Sequence, residues 1–191
     1  MKDKIELRPG AFLVPAFLLL VLPWQWVGAA VFAAGIHELC HIIALVLTGG
    51  EIRGIVISGS GATIRAECPC VWRECLSAMA GPLGSACLLL FYRQMPRVAL
   101  CALVHCLYNL LPLFPLDGGR ILRSILSVTL SPLKAEIAER RIGIVTYFLV
   151  AVFLLAVTHS LGAAPLLLGI LLLLRLRRKN SLPFHRFGDT I

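Results

Sequence analysis

The stretch VGAAVFAAGIHELCHIIALVL, residues 27–47, is apolar for a full membrane thickness except at His37, Glu38 and His41. A helix needs about 20 predominantly apolar residues to cross a bilayer. Thr48-Gly49-Gly50 follows directly and supplies a stop signal. An ionisable side chain at the centre of such a helix costs about 2.5–3.5 kcal/mol on insertion. Three of them in one span are therefore candidates for chemistry rather than for packing.

Composition around this segment agrees with a membrane setting. The chain of 191 residues is 59% hydrophobic and 15% charged, against about 25% charged in soluble domains. Its apolar residues fall in long blocks, which excludes a water-facing globular domain. A net charge of +8 would point to nucleic acid in a soluble protein. Here it reflects Lys and Arg held in cytoplasmic loops, and no nucleic-acid partner is expected. The seven cysteines, several inside apolar runs, read as small buried residues in a reducing compartment.

The expected fold is an all-α membrane bundle of about six transmembrane helices with a small β-hairpin at the membrane surface. Apolar segments lie at 11–22, 27–47, 76–92, 98–116, 142–158 and 163–174. The first has no small-residue cleavage signature and reads as a retained span. Between the second and third, two β-branched runs flank Ser58-Gly59-Ser60-Gly61, the pattern of a hairpin over 51–66. A basic, amphipathic connector follows Arg120. The whole reads as one polytopic domain over 1–191, with a core at 27–120, flanking spans within 11–26 and 142–174, and a polar tail at 175–191. With both termini cytoplasmic, only Arg93 and Arg97 of the 18 Lys and Arg residues fall outside, which fits a multi-pass protein of the cell membrane.

His37 and His41 stand four residues apart, so on a helix both imidazoles leave nearly the same face one turn apart. Two neutral imidazoles so placed can grip one zinc ion, and Glu38 can take a proton from the water that zinc activates. Catalytic zinc sites usually have three protein ligands. Asp117 ends the run NLLPLFPLDGG, residues 109–119, whose prolines Pro112 and Pro115 should unwind the span. Non-helical backbone at membrane depth survives only inside protein or beside a wet cavity. Asp117 thus reads as the missing ligand, beside the plainer reading of a helix-ending turn residue.

H-E-x-x-H in one span and N-x-x-P-x-x-P-x-D-G in a later one resemble the site-2 protease family of intramembrane zinc metalloproteases. Ala80-Gly81-Pro82-Leu83-Gly84 resembles that family's motif in the intervening span. The match covers about 27–120 and is similar in form to the bacterial sporulation-type subgroup, which releases a membrane-tethered transcription-factor precursor. The resemblance implies His37, His41 and Asp117 as ligands of one zinc ion and Glu38 as catalytic base. It also implies Asn109 as a substrate-binding residue and a membrane-tethered protein as substrate, with a membrane regulatory partner left open. Regulation by an appended ligand-binding or peptide-binding module is not expected.

Lesser residues take plainer readings. Gly81, Gly84 and Ser85 permit close helix packing, and Cys40 packs. His105, one turn before Asn109, reads as an interior histidine ahead of a cavity residue. Cys68, Cys70 and Cys75 make half a metal site at most, with reversible acylation at the interface equally open. The rival functions are a membrane zinc transporter, which has no need of Glu38 beside a ligand, and a catalytically inactive relative.

Overall fold

The structure is a computed structural model, and it describes residues 5–7, 19, 22–58, 61–67 and 70–161. Among them the chain is mostly helical. In order come β1 (Ile5–Leu7), α1 (Trp24–Leu47), β2 (Glu51–Ser58), β3 (Gly61–Glu67) and α2 (Val71–Leu88), which runs into a 3-10 turn over Leu89–Phe91. Then follow α3 (Pro96–Asn109), α4 (Asp117–Thr129) and α5 (Pro132–Leu161). Contacts divide the chain after Asn109 into two compact units.

In the first unit α1, α2 and α3 pack on one another. α1 starts after Pro23, whose carbonyl takes the Trp26 N–H at 2.9 Å; proline's fixed φ suits a helix start. It stops where Thr48 Oγ1 donates back to the Ala44 carbonyl at 2.8 Å and Gly49 turns at φ 75°, the left-handed cap that glycine adopts without strain. Ala29, Ala33, His37, His41 and Leu45, each four residues from the last, form its buried stripe. Val31, Phe32, Leu39, Ile43 and Val46 are exposed apolar residues on the remainder, as a lipid-facing surface requires.

Ala78, Gly81, Pro82 and Ser85 form a buried seam of mostly small side chains on α2, which lets backbones approach closely. A Cβ on Gly84 would strike the Cys40 sulfur of α1, so the packing readings of Gly84 and Cys40 describe one contact. Cys106 of α3 donates its thiol to the Pro82 carbonyl at 3.5 Å and ties α3 to α2.

The strands form one sheet in the order β1-β2-β3, with β2–β3 antiparallel and β1–β2 parallel. β2 is therefore the central strand. Ile5, Glu6 and Leu7 pair with Ile55, Val56 and Ile57, an edge that a bare hairpin would leave open. Three residues carry too little alternation to be read as a strand from sequence.

The second unit opens with the proline-rich run. Residues 110–116 are irregular, with a cis Phe114–Pro115 bond, and they lie over the first turn of α4. There Gly118 faces the Leu110 and Leu111 main chain, and Gly119 faces that of Leu113 and Phe114. Arg123 holds α4 to α5 through Glu139 at 2.7 Å and lies over the Phe114 ring, 3.9 Å from its centroid.

Three helical stretches, Trp24–Leu47, Val71–Phe91 and Pro132–Val157, are long and apolar enough to cross a membrane, which marks a membrane protein. The segments expected as spans at 11–22 and 163–174 lie outside the described residues. The apolar run 98–116 is not one helix: α3 ends at Asn109, because Pro112 and Pro115 cannot continue the ladder. The connector is itself helical, and α5 begins ten residues ahead of the expected 142. Pro132 suits a helix start, and the charged residues after it are good helix formers.

Candidate metal centre

His37 and His41 reach the buried side of α1 one turn apart and are 1% and 5% exposed. Their Nε2 atoms face each other at 3.1 Å. The far nitrogens explain why. His41 Nδ1 lies 2.7 Å from the Ser77 carbonyl oxygen, which can only accept, so Nδ1 carries the proton and Nε2 the lone pair. His37 Nδ1 lies 2.9 Å from Ser85 Oγ, which can accept the Nδ1 proton and leave a lone pair on that Nε2 too.

Two lone pairs aimed at each other repel unless a cation lies between them. In a tetrahedral zinc site with Zn–N about 2.0–2.1 Å, two ring nitrogens sit about 3.3 Å apart, close to the observed spacing. Gly81 supports the same fit. A Cβ there would strike the His41 ring and come 2.8 Å from His37 Nε2, so α2 leaves the imidazoles room only because residue 81 has no side chain. Donor chemistry, tautomers and space all suit zinc.

Glu38 is half-buried on the same turn as His37. Asp117 opens α4, where the helix dipole favours a carboxylate; it is 5% exposed, and Arg120 Nη1 donates to its Oδ1 at 3.3 Å. Among the described residues, His37 and His41 each offer one buried ligand atom on α1, and Asp117 offers a buried carboxylate oxygen at the start of α4. Asn109 closes α3, and its Nδ2 donates to the His105 carbonyl at 3.0 Å. The His105 ring stands edge-on to that of His37, with centroids 4.5 Å apart. Cys70 is exposed and Cys75 buried, neither belongs to a metal-holding group among the described residues, and Cys68 lies outside them.

Sequence reasoning passed over Ser85 as a partner of His37 and Ser77 as a partner of His41. The signal was present: Ser77, Gly81 and Ser85 recur every fourth residue along α2, a small and polar stripe on one face of an apolar helix.

Comparison with known proteins points the same way. Residues 76–156 match the model of Peptidase family M50. A Synechocystis sp. protein named "Putative zinc metalloprotease" is 30% identical over 124 residues, covering 56% of this chain and 33% of the relative. The match thus spans about a third of that relative's length. The solved Site-2 Protease from Methanocaldococcus jannaschii shares the fold, with a TM-score of 0.68 at 23% identity over 95% of this chain and 93% of that one. The chain is thus similar to peptidase family M50 over residues 76–156 and to a zinc metalloprotease relative over part of its length, and it shares the fold of a site-2 protease.

Proposed function

We propose that this chain is an intramembrane zinc endopeptidase that cuts a peptide bond in or near a transmembrane segment of a membrane-tethered protein. The observation that carries this reading is the buried pair of imidazoles, lone pairs converging, in a helix apolar enough to span a bilayer. His37, His41 and Asp117 would hold one zinc ion, which when bound supplies Lewis acidity and makes water a nucleophile near neutral pH. Glu38 takes the proton of the attacking water and returns it to the leaving amine. Asn109 releases its amide from the His105 carbonyl to hold the substrate main chain or the developing oxyanion.

The substrate helix must unwind locally, because a helical backbone keeps its carbonyls in internal hydrogen bonds. The sheet of β1–β3 lies at the cytoplasmic membrane surface in this reading. The chain is a single multi-pass domain of about six spans with its core at 27–120 and both termini in the cytoplasm. The form of the 109–119 run supports a member of the sporulation-type subgroup that releases a transcription factor from its tether.

The test is cleavage of a tethered substrate by the purified chain in detergent or vesicles, with and without a zinc chelator. Glu38→Gln should keep one zinc per chain and lower the cleavage rate by about 10²–10⁴-fold. Chelator-insensitive cleavage would sink the metal mechanism, and a Glu38→Gln protein without zinc would make Glu38 a ligand. Zinc transport with no cleavage would favour a transporter.

A further inference from the structure

We propose that His105 is a positioning residue that fixes the imidazole of His37 in its metal-holding orientation, a role resting on the reading of His37 as a ligand. The Ser85 hydroxyl meets His37 at Nδ1, next to the ring's attachment to Cβ, and does not by itself stop the outer, Nε2 edge from tilting. Two other rings oppose that motion. His41 stands against His37 at a centroid distance of 4.7 Å and 84° between planes. His105 stands against it at 4.5 Å and 90°. His41 belongs to the same helix, whereas His105 comes from α3 and locks the ring from a separate element.

α3 is placed to do this. Val98, Ala102 and His105 recur on one face of that helix, where Val98 and Ala102 are buried. Directly after His105, Cys106 bonds the Pro82 carbonyl of α2. Gly81 and Ser85, the α2 residues beside the two imidazoles, flank that carbonyl. Position 105 is thus held at a fixed height against His37. A flat ring suits it, because edge-to-face rings meet with complementary charge distributions. An aliphatic side chain of equal bulk has no flat face to oppose the tilt.

The experiment uses the full chain in detergent, with Co²⁺ as spectroscopic probe and a chromophoric chelator competing for Zn²⁺. His105→Phe keeps the ring and loses the nitrogens. His105→Leu keeps the bulk and loses the ring. Phe should bind zinc near wild-type strength and keep the Co²⁺ visible bands. Leu should bind zinc about 10–100-fold more weakly, the usual consequence of losing a group that orients a ligand, and should shift those bands. Wild-type binding by the Leu variant would overturn the proposal. So would a Phe variant as weak as Leu, because the nitrogen rather than the ring would then matter. His37→Ala separates the two readings: full zinc affinity there would show that His37 is no ligand, whatever His105 does.

Discussion

At His41 the Nδ1 proton goes to a main-chain carbonyl, that of Ser77, whereas at His37 the partner is a side chain, Ser85 Oγ. The two second-layer contacts therefore differ in what mutation can remove. Ser85→Ala deletes the acceptor for His37 and, at a fully buried position, leaves a smaller side chain that fits. Zinc affinity should fall by about 10–100-fold. Ser77→Ala keeps the carbonyl and should bind zinc like the wild type; competition with a chelator reads both. Equal affinities in the two variants would show that the Ser85 hydroxyl does not orient His37. Much of this scale was legible in sequence, since H-E-x-x-H fixes the spacing of its imidazoles once a helix is assumed. The pairing of Nδ1 atoms with α2 was not, because it depends on which turn of one helix meets which turn of another.

At the scale of elements, the sheet decides which strand edge could hold a substrate. A proline at Val56 would not probe a vacant edge, because β2 pairs with β1 on one side and β3 on the other. Among the described strands the edges are β1 and β3, and β3, Gly61–Glu67, is the longer. Strand addition to such an edge is an established way to hold an extended peptide. Proline at alternate β3 positions, where the N–H points outward, should slow cleavage and leave zinc content unchanged. Wild-type cleavage by folded, zinc-loaded variants would end the strand-addition idea. The β2–β3 pattern was readable from two β-branched runs around a Gly/Ser turn, whereas β1 was too short to announce itself. The end of α3 was likewise readable from Pro112 and Pro115. The early start of α5 is not legible, because charge in 132–141 reads as a connector although those residues favour helix.

For the molecule as a whole, charge makes the prediction. A reporter fused after Ile191 should be cytoplasmic, and one inserted at His159–Ser160 should be external. A C-terminus outside the cell would mean an odd number of crossings, and the turn bearing Arg93 and Arg97 would be the first place to revise. The glycines also carry a consequence for inheritance. Any base change in the first two positions of a glycine codon gives a stop or a residue with a Cβ. At Gly118 and Gly119 that carbon would strike main chain, and at Gly81 it would strike the rings of His37 and His41. At Gly28 and Gly35 it would meet nothing within 4 Å, and alanine there would favour the helix by about 0.5–1 kcal/mol. A saturation screen for cleavage should therefore find positions 81, 118 and 119 as intolerant as His37, with 28 and 35 permissive. Part of what natural selection guards in this gene would then be empty space rather than reactive groups.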